Sequence, residues 1–184
     1  MRLTSFIPAA AMALLVSGAA YGQAAWGEFV DREEHFTINL PGDPKVEPTT
    51  YKTQKGTSLP AKVYSAQDAR GTYKVTVVNY ATAAAETPTA IEEASKVIRA
   101  KGEVKYDAQE NIDRIKDQRI SLVLPGNTRR LLTEVMLHQN RLYITEAETA
   151  VNAPPPGQFQ ASIQMLDDDG VRIRYNPDGV TRQR

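Results

Sequence analysis

The chain has 184 residues, in which 22 Lys plus Arg balance 22 Asp plus Glu, with two histidines and no cysteine. The absence of cysteine excludes thiol nucleophiles, iron–sulfur clusters, cysteine-ligated zinc and a lipoprotein anchor, while remaining compatible with an oxidising compartment. The balanced charge excludes a general nucleic-acid binder, which owes most of its affinity to many phosphate contacts.

Residues 1–22 have the layout of a cleaved secretory signal peptide. Arg2 supplies the positive charge, Phe6 to Ala20 is uncharged and mostly apolar, and small residues suit a cut before Gln23 or before Ala25. The apolar run falls short of the roughly 20 residues that cross a bilayer. The expected product is exported, periplasmic if the source is Gram-negative and otherwise secreted, with no transmembrane segment after cleavage. Removing Arg2 leaves one net negative charge on a chain the length of one ordinary domain.

The mature chain is predicted to begin with a strand, because Phe36 to Leu40 alternates apolar and polar residues before Pro41-Gly42. The phrase returns after Ile120 as Leu124-Pro125-Gly126. Proline cannot donate to a ladder and glycine accepts positive φ, so both copies read as strand-ending turns, and neither has the Lys and Ser/Thr of a phosphate-binding loop. The insertion "KVEPTTYKTQKGTS" reads as an extra edge strand or a long loop. "SLPAKVYSAQ" and "GTYKVTVVNYA" are β-rich runs around a turn at Asp68–Gly71. A helix follows, with Pro88 in its first turn, a Thr89–Glu92 capping box, an Ile91, Ala94, Val97, Ile98 stripe, a Glu92–Lys96 pair, and Gly102 as its stop.

Val104 to Leu124 predicts one or two strands with a polar turn near Lys116-Asp117. Leu131 to His138 and Leu142 to Thr145 form a hairpin around Gln139-Asn140, or around a longer loop. After Pro154-Pro155-Pro156-Gly157, the spacing of Phe159, Ile163 and Leu166 is helical. Asp167-Asp168-Asp169-Gly170 reads as a helix-ending turn, since it lacks the alternating acids and twelfth-position glutamate of an EF-hand. The fold class is therefore α+β: a mostly antiparallel β-sheet with two main helices packed on it, and a pseudo-repeat of strand, Leu-Pro-Gly, two strands and helix. A single domain spans 28–166, and 167–184 forms a C-terminal turn and β-hairpin extension.

The segments "HFTINLPGDP", "YKVTVVNYA", "RLYITEAETA" and "PGQFQASIQML" resemble, in spacing and strand order, the PsbP and Mog1 proteins, a superfamily that also takes in small exported bacterial proteins. The resemblance runs from Glu28 to Leu166. It implies a non-enzymatic accessory or binding role, since known relatives act in photosystem assembly or on a nuclear GTPase. It carries over no partner-binding residue and does not identify the partner.

The residues offer no catalytic signature, metal motif or cofactor site. Glu33, Glu34 and His35 are adjacent, so strand geometry sends them to opposite faces, and His138 reads as a surface residue. Glu146 and Glu148 share a strand face at i,i+2, a spacing that suits an acid–base pair or a cation. Their alternative role is that of exposed strand glutamates. The C-terminal hairpin sets Arg172 and Arg174 in one i,i+2 pair and Arg182 and Arg184 in another. A suitable register merges them into a basic patch for phosphate, lipid headgroup or acidic protein. The leading expectation is a non-enzymatic exported protein that binds or assists an envelope protein or other envelope component. An envelope enzyme using a carboxylate or metal site, or a small-ligand carrier, is the alternative.

Overall fold

The alternation along the strands sorts side chains between two covers, one on each face of a seven-stranded antiparallel sheet. The computed structural model describes residues 25–112, 115–176 and 179–183, with side chains for 25–111 and 115–174. The leader predicted at 1–22 and Arg184 lie outside the described residues. The chain runs β1 (Trp26–Asp31), β2 (Phe36–Pro41), β3 (Lys45–Lys52), β4 (Ser58–Gln67), β5 (Gly71–Asn79), a short 3-10 segment and α1 (Thr87–Arg99). It continues with β6 (Glu103–Ile112), β7 (Ile115–Val123), β8 (Arg129–His138), β9 (Arg141–Ala150), α2 (Gly157–Gln160), β10 (Gln164–Met165), β11 (Arg172–Asn176) and β12 (Gly179–Gln183).

The large sheet is ordered β3-β4-β5-β9-β8-β7-β6. On one face Val78, Ile120, Leu122, Leu131, Val135 and Leu142 pack with Ala90, Ala94 and Ile98 of α1. On the other, Tyr64, Tyr73, Val75, Leu132, Met136 and Tyr143 pack with Phe36, Ile38, Phe159, Ile163 and Met165. This second cover is a small antiparallel sheet, β1-β2-β10, extended by α2. Its aromatic layer is continuous: Phe36 lies 5.1 Å from Tyr64 and 6.0 Å from Tyr143, and Tyr73 contacts both Trp26 at 4.9 Å and Phe159 at 5.4 Å. Each such ring pair adds roughly 1 kcal/mol beyond its buried area.

The α+β class holds, with the second helix reduced to the single turn of α2. Phe159, Ile163 and Leu166 are all buried as their spacing predicts, but β10 captures the chain beside β2 through Gln164↔Thr37 and Met165↔Phe36. Asp167–Gly170 therefore follows a strand and ends no helix. The insertion forms the edge strand β3, which contains Pro48, and the opposite edge, β6, has a register shift between Val104 and Tyr106. The Gln139-Asn140 loop has two residues, with φ of 46° and 58°. At the second Leu-Pro-Gly, Gly126 has φ 90° and Asn127 N–H donates to Leu124 O at 3.1 Å, closing a turn. Strand β2 lies in the small sheet whereas β7 lies in the large one, so the two copies of the repeated order occupy different places.

Helix α1 starts at Thr87, two residues before the predicted cap. Thr89 Oγ1 donates to Glu93 at 2.8 Å, in place of a capping box with Glu92. Glu92 pairs with Arg99 at 2.8 Å rather than with Lys96. The buried stripe is Ala90, Ala94 and Ile98, leaving Val97 58% exposed. No helix among the described residues is long and apolar enough to cross a membrane.

Gly102 does more than stop α1, because a Cβ there falls 2.3 Å from the Val123 carbonyl oxygen. Gly102→Ala is expected to destabilise the domain by roughly 2 kcal/mol through this overlap. Gly27→Ala, where a Cβ meets nothing within 4 Å, serves as the control. Urea denaturation of the two variants checks this, and equal midpoints contradict it.

Candidate functional site

The aromatic cover leaves an acidic cluster at the β6–β7–β8 end of its face. Strand pairing sets Glu110 opposite Asp117, Asp117 opposite Met136, and Arg119 opposite Glu134. Alternation then brings Glu110, Asp117, Arg119 and Glu134 to one side. The Arg119 guanidinium joins two of the carboxylates. Its Nε and Nη2 donate to Glu134 Oε1 at 2.9 and 2.6 Å, and Nη1 lies 3.0 Å from Glu110 Oε2. Tyr106 O–H donates to Glu110 Oε1 at 2.8 Å.

Asp117 and Glu134 are each 1% exposed. Both oxygens of Asp117, and Oε2 of Glu134, lack a hydrogen-bond partner among the described residues. Asp117 borders a cavity of about 10 Å³ whose other walls include Ile115, Met136, Ile163, Met165 and Ile173. Gln164 also reaches it, and its Oε1 is buried without a described partner.

Arg119 engages two of the three carboxyls and leaves Asp117 unpartnered, so burial favours retaining protons here. Burial pushes Asp117 up to about 6, with Glu110 adding to the rise and Arg119 opposing it. Burial also raises Glu134 to about 7; Arg119 opposes this and Asp117 reinforces it. The pair can hold or release protons near neutrality. Among the described residues no three His, Asp or Glu side chains are arranged to hold a metal ion.

The sequence reading missed this site because it assigned Lys116-Asp117 to a turn. Both lie in β7. A usable signal was Glu134 standing between Leu132 and Met136 on an apolar face, with Asp117 and Arg119 two residues apart in the next strand.

The predicted carboxylates are placed elsewhere, on the α1 face. Glu146 is 8% exposed and pairs with Lys101, with Lys74 at 3.7 Å. Glu148 pairs with Arg129, which also donates from Nη2 to the Glu148 carbonyl at 3.0 Å. Each glutamate thus has its own cation. In the C-terminal hairpin, Arg172 pairs with Glu28 and Arg174 is exposed. Position 182 stands opposite Ile173, and Arg172 opposite Gln183. This register puts positions 172 and 174 on the other face from position 182, so it is not the register that merges the two pairs; Arg184 is outside the described residues.

Both histidines are partly buried, which for His138 corrects its assignment to the surface. Burial holds His138 below its ordinary range, helped by the charges of His35 and Arg141. His35 Nδ1 lies 3.7 Å from Asp168. Glu33 and Glu34 are held by Lys62 at 2.8 and 2.9 Å. Asp167 Oδ1 accepts from Asp169 N–H and Val171 N–H, fixing the turn at Gly170, φ 76°.

A separate open groove of about 460 Å³ lies where α1 begins beside β7 and β8. Pro88, Ile91, Ile115 and Leu137 give it apolar walls, and Thr87, Lys116 and His138 its polar ones.

No family model matches the chain, and no curated protein matches it. The chain is similar to the solution structure of cyanobacterial PsbP (CyanoP) from Synechocystis sp. PCC 6803. The identity is 12%, the coverage 83% of this chain and 99% of that one, and the TM-score 0.47.

A carboxyl with a raised folded-state pKa binds more protons folded than unfolded between the two pKa values, so stability falls as pH rises through that window. For Asp117 the window runs from 3.8 to about 6. Asp117→Asn is expected to gain roughly 2 to 3 kcal/mol over the wild type well above this window and little below it. Urea denaturation at about pH 4 and pH 8 checks this; a gain of equal size at both contradicts it.

Proposed function

We propose that this chain is a non-enzymatic binding or accessory protein exported to the cell envelope, periplasmic where the source is Gram-negative and secreted otherwise. Its partner is an envelope protein. The groove beside α1 is the observation that most supports this reading. Four apolar residues in an open concavity suit the side chains of a protein surface. Lys116 is exposed and makes no ion pair with any described residue, and the positive end of α1 lies beside it. Charge complementarity therefore selects a partner segment with a carboxylate next to apolar side chains.

The ion pairs of Glu146 and Glu148 support structural roles for both, which weighs against the enzyme reading. Partner binding through the C-terminal arginines draws less support, because Arg172 is committed to Glu28.

The test is a crosslinked pull-down of the tagged mature protein from its native envelope, with an unrelated exported domain as control. One stoichiometric partner is expected, lost at least about tenfold by Ile91→Glu and by Lys116→Glu, and retained by Arg174→Glu. Equal recovery by all three variants removes the groove from this reading. A small molecule in place of a protein replaces it with the carrier reading. N-terminal sequencing of the exported chain is expected to start at Gln23 or Ala25; retention of Met1 contradicts export by cleavage.

A further inference from the structure

We infer that the segment from Phe159 to Ile173 is a proton-controlled cover over β7 and β8, held shut while Asp117 is protonated and opening more often when that proton is lost. The inference concerns regulation and does not rest on the groove.

The cover is lightly attached through its backbone, although Phe159, Ile163, Met165, Leu166 and Ile173 are all buried. Its ladder to β2 has two residues, supplemented by Leu166 N–H to His35 O at 2.9 Å and Asn39 N–H to Ser162 Oγ at 2.9 Å. Arg172 ties its far end to Glu28. The remaining hold is apolar, with Phe159 against Tyr73, and Ile163, Met165 and Ile173 around the cavity that Asp117 borders. A segment with so short a ladder can open without the large sheet unfolding.

Asp117 makes that hold depend on its proton. Its cavity of about 10 Å³ has room for roughly one water, whereas an ionised carboxylate accepts up to four hydrogen bonds. The neutral acid needs fewer, and Gln164, which lines the same cavity, offers at most one amide group toward an ionised carboxylate, which replaces only part of its hydration. Lifting Ile163, Met165 and Ile173 admits the rest.

Of the facing charges, Glu110 on β6 opposes a further negative charge, and Arg119, which favours one, is already engaged by Glu110 and by Glu134 on β8. On the cover, Arg172 is paired with Glu28. A second contact between the cover and the rest of the domain, His35 with Asp168, must be separated from the first.

Hydrogen exchange read by mass spectrometry, corrected for intrinsic rates, tests the cover at about pH 5 and pH 8. Protection of peptides within 159–173 is expected to fall about tenfold with rising pH while β9 keeps its protection. Asp117→Asn is expected to hold the high protection at both values, and Asp117→Ala, which needs less space, to lose the pH dependence as well. His35→Gln is expected to keep the fall. The inference is overturned if the fall survives both Asp117 variants, disappears only in His35→Gln, or extends equally through β9.

Discussion

The middle of the large sheet is covered on both faces, and its strands nevertheless carry charges. The middle of β8 and of β9 is a run of buried residues, including Glu134 on one side and Glu146 on the other. Water cannot neutralise these groups, so the chain supplies their partners: Arg119 for Glu134, and Lys101 and Lys74 for Glu146. A buried charge deprived of its partner costs several kcal/mol. Other features follow. Lys101 comes from the segment just beyond α1, so the helix is pinned at its end as well as along its apolar stripe. Arg119 ties β7 to β8 by side chain as well as by ladder.

The opposite cover is tied down by a polar rim around its aromatic centre. Tyr64 O–H donates to Asp31 at 2.6 Å and Tyr143 O–H to the Glu34 carbonyl at 2.9 Å, while Glu34 also faces Lys62 and Arg141. These contacts gather at the β1–β2 connection. They hold the front of the small sheet over β4 and β9, while β7 and the neighbouring part of β8 meet Ile163, Met165 and Ile173 of the later C-terminal segment. The acidic cluster lies beneath the less firmly held half of the cover.

Elements dominated by local chemistry were legible in the sequence. Asn140 after Gln139 marked a hairpin that adopts the two-residue form, and the Leu-Pro-Gly phrases marked strand ends. Pro88 and Gly102 bracketed α1. Elements set by distant pairing were not legible. Phe159, Ile163 and Leu166 are buried at helical spacing, yet the decisive partner of Met165 is Phe36, far earlier in the chain. Lys116 and Asp117 were polar enough to suggest a turn, and only the packing of β10 and β11 over β7 explains an acid at a strand position without solvent. Glu146 and Glu148 do share a face, but the cations that engage them come from other elements, where spacing within one strand has no reach.

The two margins of the large sheet have a final consequence. Strand β3 is exposed along almost its whole length, and an unpaired margin of this kind can template the addition of another copy. Pro48 removes one amide donor from that margin, and the register shift at Val104–Tyr106 skews the other. An incoming strand therefore finds an interrupted row at one margin and a misaligned row at the other. Both irregularities guard a broad, open sheet against polymerisation.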